Sequence, residues 1–263
     1  MSKNNEFSNI LFNYLLDNNL LIDVNGVYYY NNIPIKFFDN FLDIKDSELE
    51  ENEYIVLSSH KSNTQTEDSI SIHFPGNFNI AQLFGEDYKL SLANINYFNK
   101  LYYILKNDIN PDLKFWIEVT HHGPSVNKQI MFYEIGPNVK AYNNKDYIKY
   151  YLDCLNKCLL INPIYNNYIL IGAPHYIDIE FIERIERKTN LKDICFSHII
   201  PKYALIEMLN LDDSKLELIL TETINKSQVN KIILNSDYIK SKSRLKTILN
   251  NINTKNNIEL III

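Results

Sequence analysis

Glycine is scarce in this chain, with six among 263 residues. No GxGxxG or Walker-type loop occurs, which disfavours a backbone cradle for nucleotide phosphates. HExxH and paired CxxC spacings are absent as well, so the most specific zinc signatures are missing. Three cysteines without paired spacing argue against a disulfide framework and for a reducing compartment, the cytoplasm. No apolar run approaches the ~20 residues a membrane helix needs, and the N-terminus lacks a basic-then-apolar leader. The closing Ile258-Glu-Leu-Ile-Ile-Ile263 is too short to span a bilayer and fits a buried terminal strand. A net charge of −6 offers no general attraction for nucleic acid. Lys226, Lys231, Lys240, Lys242, Arg244 and Lys246 nevertheless gather near the C-terminus, and a local basic patch can bind phosphates despite an acidic total.

Hydrophobic content of 46% and charged content of 22% are ordinary for a globular protein. Asn, Ile and Tyr are heavily used. Apolar residues at helical spacing predict helices over 6–18, 98–105, 148–159, 179–188 (capped by Asp178), 213–223 and 241–251. Short apolar runs predict strands at 54–57, 70–73, 115–117, 131–136, 169–171, 194–198 and 229–234, and a hairpin at 27–30 and 33–38 around Asn31-Asn32. Residues 41–53 are acidic and fit a loop or short helix. Strands alternating with helices predict an α/β fold: a mixed, largely parallel sheet with helices on both faces. With no repeat and no long linker, residues 1–263 are expected to form one compact unit. No exposed heptad stands out, so a monomer is expected. Cys154, Cys158 and Cys195 lie in apolar segments and read as packing.

The chemistry gathers elsewhere. All six histidines, His60, His73, His121, His122, His175 and His198, fall at or just beyond the end of an apolar strand-like run. A single histidine is usually a satisfied surface or core residue. Six in equivalent positions point to one polar crevice at the sheet. The densest stretch is Glu118-Val-Thr-His-His-Gly-Pro-Ser125. Neighbouring side chains of a strand point to opposite faces, so His121 and His122 share a site only where the backbone turns, and Gly123-Pro124 supply a turn. Such a crevice suits zinc, which uses three protein ligands and an open position for water. Glu118 and Glu134 could complete the coordination or act as general base. A metal-free route would use a histidine base, Thr120, Ser58 or Ser62 as polariser, and backbone N–H groups near Gly123 or Gly76 for an oxyanion.

Several separated blocks resemble one family, the archaeal and plant type of D-aminoacyl-tRNA deacylase. Ser58-x-His60-x-Ser62 resembles its SxHxS block, and His73-x-x-Gly76-Asn77-Phe78 its HxxGN-aromatic block. Glu118-x-Thr120-His121-His122-Gly123-Pro124-Ser125 is similar to EATHHGPT, and Phe132-Tyr-Glu134-Ile-Gly136 to FIEIG. Gly172-Ala-Pro-His175-Tyr176 is similar to GGGHY, and Phe196-Ser-His198-Ile-Ile-Pro201-Lys202-Tyr203-Ala204 to FGHILPKYA. Ala173 and Pro174 replace two glycines of that pattern, and a late tryptophan-lysine-glycine block survives only near Asp237-Tyr238. The resemblance implies a phosphorylase/hydrolase-like α/β fold, a zinc cofactor, and hydrolysis of the ester between a D-amino acid and the terminal ribose of tRNA. With the crevice read this way, His121, His122, Glu118, Thr120 and Glu134 are expected as catalytic residues, His121 and His122 at the centre and Glu118 or Glu134 as the base. Ser58, Ser62, Gly123, His198 and Lys202 would contact substrate, and His60, His73 and His175 would be metal ligands. The rival expectations are a metal-dependent hydrolase of a small ester or amide, and an inactive tRNA-binding homologue.

Overall fold

The computed structural model describes residues 1–62, 64–236 and 242–263, with the backbone alone for 242 and 254–256. Helix α1 (Glu6–Asp17) leads into three short strands, β1 (Ile22–Val24), β2 (Val27–Tyr30) and β3 (Ile33–Ile35), which form an antiparallel sheet. Two single turns of 3₁₀ helix, Phe41–Asp43 and Asp46–Glu48, fill the acidic stretch. The chain continues with β4 (Glu53–Ser59), β5 (Ser69–His73), β6 (Leu92–Ala93), α2 (Ile95–Asn107), β7 (Lys114–Glu118), β8 (Gln129–Gly136), α3 (Val139–Tyr142) and α4 (Lys145–Cys158). Then follow β9 (Asn166–Ala173), β10 (Tyr176–Ile177), α5 (Ile179–Thr189), β11 (Ile194–Pro201), α6 (Lys202–Met208), α7 (Asp213–Ser227), β12 (Lys231–Leu234), α8 (Lys242–Asn256) and β13 (Glu259–Ile262).

The strands divide between two main sheets. One is mixed, in the order β10-β7-β5-β8-β4, with β6 pairing the start of β8. The other is wholly parallel, in the order β11-β9-β12-β13. The expected α/β character holds, and the difference lies in the division into two sheets. Helices cover both faces of the parallel sheet. Tyr168 and Leu170 point into the main core with α2, α4 and α5, while Ile169 and Ile171 point into a second core with α6, α7 and α8. One face of the mixed sheet packs into the main core through Ile70, Ile72, Ile117, Met131, Tyr133 and Ile135. Its other face carries only the small cluster of Val56, Ile130 and Phe132 with Phe41 and Val126. That face is where polar groups collect.

The asparagine bias has a structural outlet. Asn5, Asn94, Asn138 and Asn144 cap α1, α2, α3 and α4 by accepting from backbone N–H groups. Asn19, Asn25, Asn31, Asn32, Asn190 and Asn257 hold positive φ, a conformation that asparagine tolerates better than most residues and that glycine usually supplies. Asp178 caps α5 as expected, accepting from Phe181 N at 2.7 Å. Cys154, Cys158 and Cys195 are free and buried. Among the described residues no helix is long and apolar enough to cross a membrane.

Candidate active site

Strand alternation builds the site. Residues paired across a sheet share a face, and so do residues two apart along a strand. Ser58 pairs with Glu134, Glu134 with Ser71, His73 with Phe132, and Ser71 with Trp116. Ser58, Ser71, His73, Trp116, Glu118, Phe132 and Glu134 therefore all point to the face away from the main core. β4 and β8 run opposite to β5 and β7, so the strand ends do not line up along one rim. The histidines gather over the sheet face instead. Gly136 allows this closure: a Cβ there would come within 2.3 Å of His60 O.

Glu118 and Glu134 form the buried floor. Glu118 Oε1 lies 3.2 Å from His60 Nδ1, and its Oε2 lies 3.4 Å from His175 Nε2 and 3.8 Å from His121 Nε2. Glu134 Oε1 accepts from Ser58 Oγ, and its Oε2 lies 3.7 Å from both His60 Nδ1 and His73 Nε2. Burial opposes ionisation of both glutamates. Ion pairing with His175 and His60 nevertheless holds Glu118 well below the usual carboxylate range, and His60 and His73 do the same for Glu134. Burial likewise opposes charge on His60, but the two carboxylates outweigh it and push its pKa up to about 10. His73 is raised too, with Glu134 overcoming the desolvation of a wholly buried ring.

His121 and His122 behave oppositely. Burial and neighbouring imidazoles push His121 well below its ordinary value, and burial with His73 lowers His122 to about 4. Both rings are neutral at pH 7. His121 Nδ1–H donates to Val119 O, and His122 Nδ1–H donates to Gly123 O, each at 2.7 Å. That fixes the tautomer and leaves both Nε2 lone pairs for a ligand. His122 sits at φ +48, the turn that brings adjacent rings into one site, with centroids 4.4 Å apart. Gly123 is required next to it, because a Cβ there would meet Leu42 O at 2.2 Å.

Three groups bring ligand atoms within 4.8 Å of one another: His73 with His121 and His122; Glu118 with His121 and His175; and His60 with Glu118 and Glu134. No such group among the described residues joins His60, His73 and His175, the three expected ligands. Glu118 separates two of them, holding His60 on one oxygen and His175 on the other. His73 Nε2 is buried without a hydrogen-bond partner, its nearest neighbour of opposite charge being Glu134 Oε2 at 3.7 Å. An unsatisfied group at such depth is costly, and it suits a cation in the histidine group.

Other expected substrate contacts are otherwise engaged. His198 is wholly buried: its Nε2–H donates to Ser91 O at 2.9 Å, and its Nδ1 accepts from Thr120 Oγ1 at 3.0 Å. Thr120 Oγ1 also accepts from Ile199 N, so this pair braces β11 against the double-histidine turn, with the Thr120 hydroxyl proton and both His198 ring nitrogens already engaged. The Gly123 N–H donates to Leu83 O at 3.0 Å and the Gly76 N–H to His122 O at 2.7 Å, so neither is free as an oxyanion donor. Ser58 is committed to Glu134. Ser62 Oγ accepts from Tyr176 OH and from the Thr64 and Gln65 amides. Lys202 is half-buried at the start of α6.

A cleft of about 260 Å³ opens beside His121 and His122, lined also by Thr120, Asn79, Tyr203 and Glu207. Tyr176, whose OH lies 3.4 Å from His60 Nε2, and Tyr203, whose ring stacks 6.2 Å from that of His175, stand within the quoted blocks but carry no expected site role; their place in those blocks was the available signal. The C-terminal basic patch is partly consumed: Arg244 pairs with Asp213 and donates to Leu209 O and Leu211 O, and Lys226 bonds Asn127. Lys240, Asp237-Tyr238 and the Lys242 side chain lie outside the described residues.

Residues 47–261 match the D-aminoacyl-tRNA deacylase family. The chain belongs to that family. It is 27% identical over 218 residues to the D-aminoacyl-tRNA deacylase of Saccharolobus solfataricus, covering 81% of this chain and 86% of that protein. The same enzyme of Sulfurisphaera tokodaii is 29% identical over 218 residues, with 81% and 85% covered. The fold matches the crystal structure of AF0625, a conserved protein of unknown function, at a TM-score of 0.75 and 20% identity, over 99% of this chain and 93% of that one.

Proposed function

We propose that this chain hydrolyses the ester between a D-amino acid and the terminal ribose of tRNA, in the cleft beside His121 and His122. The observation that carries this reading is the convergence of five imidazoles and two buried carboxylates on one face of the mixed sheet, in a member of the deacylase family. The donor set of His73, His121 and His122, with its unpartnered buried Nε2 atom, fits zinc. Bound there, zinc would act as a Lewis acid and bring water's pKa to ~7.

The remaining residues divide the work. Glu118 holds the His175 ring through Nε2, and half-exposed His175 serves as the base that takes a proton from water and returns it to the ribose hydroxyl. His60 is the counter-charge that lets two carboxylates stay ionised side by side. Glu134 orients His73 and is in turn held by Ser58. The Thr120–His198 pair positions the double-histidine turn. An aminoacyl ester is already activated, so positioning and proton transfer suffice. Discrimination between D and L follows from cleft shape. Lys202 and the C-terminal basic stretch meet tRNA phosphates, with no base reading. The protein acts as a cytoplasmic monomer. Deacylation of D- and L-tyrosyl-tRNA with and without a chelator tests this reading. Loss of D-specific turnover on metal removal, with the fold intact, is the expected result; undiminished turnover in metal-free protein would overturn the zinc assignment, and no turnover in metal-loaded protein would overturn the deacylase reading.

A further inference from the structure

An α-ammonium sits ~2.5 Å from the carbonyl carbon it flanks. Any group that reads the amine of an aminoacyl ester must therefore share a cleft with the groups that act on its carbonyl. Glu118 and Glu134 are unsuited, because His60, His73, His175 and Ser58 already engage them. Glu207 is the remaining carboxylate on the cleft wall. It lies on α6 one turn beyond Tyr203, so the two share a helix face. Glu207 is exposed, and its Oε2 accepts from the Asn79 side-chain amide at 2.5 Å. Among the described residues no lysine, arginine or histidine comes within ion-pair distance of it. A carboxylate steadied by a neutral amide and facing a cleft, with no cation against it among the described residues, is arranged to receive one. Tyr203 presents an aromatic ring beside it, and aromatic faces attract ammonium groups.

We propose that Glu207 is a specificity-determining residue of the deacylation: its carboxylate receives the free α-ammonium of the aminoacyl group and so rejects esters whose amine is acylated. This rests on the deacylase reading above. An acylated amine carries no charge and adds bulk, leaving Glu207 to be desolvated without a counterpart. The chain would then spare tRNA carrying a peptide or a formylated amino acid while clearing free aminoacyl esters.

The test compares kcat/KM for D-tyrosyl-tRNA and N-acetyl-D-tyrosyl-tRNA in the wild type, Glu207→Gln and Glu207→Asp, all metal-loaded. The wild type should favour the free amine by about 30-fold or more. Glu207→Gln should bring the two substrates within about threefold of each other, and Glu207→Asp should restore much of the preference. A Glu207→Gln enzyme that keeps the wild-type ratio, or that loses both substrates equally, overturns the proposal. A wild type inactive on both substrates overturns the deacylase reading itself, which separates the two failures.

Discussion

Replacing Glu118 by glutamine keeps the shape of the floor and removes its charge. Three imidazoles lie within 3.8 Å of this carboxylate, so the consequences can be bounded. His60 is held at a pKa of about 10 by Glu118 and Glu134 together. At pH 7 that is three units, and at 1.36 kcal/mol per unit the stability at stake is at most about 4 kcal/mol. The cost cannot exceed this, because His60 can shed its proton rather than remain an unpaired buried cation, and Glu134 is still present. The catalytic effect should be larger. His175 loses the group that fixes its ring, and a comparable loss of an orienting carboxylate in a serine protease costs ~10⁴ in kcat. A fall of about 10²–10⁴ is expected here, with cooperative melting retained and metal still held by His73, His121 and His122. Single-turnover deacylation, thermal unfolding and metal analysis of the same preparation check the three parts. Turnover within a fewfold of wild type would refute the Glu118–His175 pairing, and loss of the metal would make Glu118 a ligand instead.

Further outcomes follow from the same geometry. His122→Ala should lose metal and deacylase activity together while melting cooperatively; full activity in that variant would rule His122 out of the site. Metal binding near pH 7 should be accompanied by proton release, because Glu134 favours the charged form of His73 and a ligand must be neutral; calorimetry in buffers of different ionisation enthalpy detects it. His198 is lowered to about 4 by burial, against about 6.5 in the unfolded chain. The unfolded state therefore binds a proton that the folded ring refuses, so stability is full above about pH 6.5 and falls by up to about 3 kcal/mol as pH drops towards 4. Denaturant titrations across that window should show a shallower slope for His198→Gln. If three tRNA phosphates are contacted, raising salt from about 50 to 200 mM should weaken binding roughly 20–40-fold, whereas a free aminoacyl ester of a small alcohol should show no such slope.

Local pattern along the chain is enough to place the elements and the chemistry they carry. Period-2 pairs such as Ser58 with His60, Ser71 with His73 and Phe132 with Glu134 place functional and apolar side chains on opposite faces whatever the sheet order, because strand geometry is local. The Asp178 cap and the stripes of α2, α4 and α5 are legible for the same reason. Local pattern cannot say which strands neighbour one another, since pairing depends on contacts between residues far apart in the chain. Folding is what sets β4 and β5 on either side of β8, puts Glu118 between His60 and His175, and turns His198 inward to hold Thr120 rather than outward to substrate. It also spends the N–H groups of Gly76 and Gly123 on backbone carbonyls, and carries Tyr203 and Glu207 to the cleft on a short helix after Pro201. A hydrogen bond that consumes a group, or a neighbour that shifts its charge, exists only once distant segments meet.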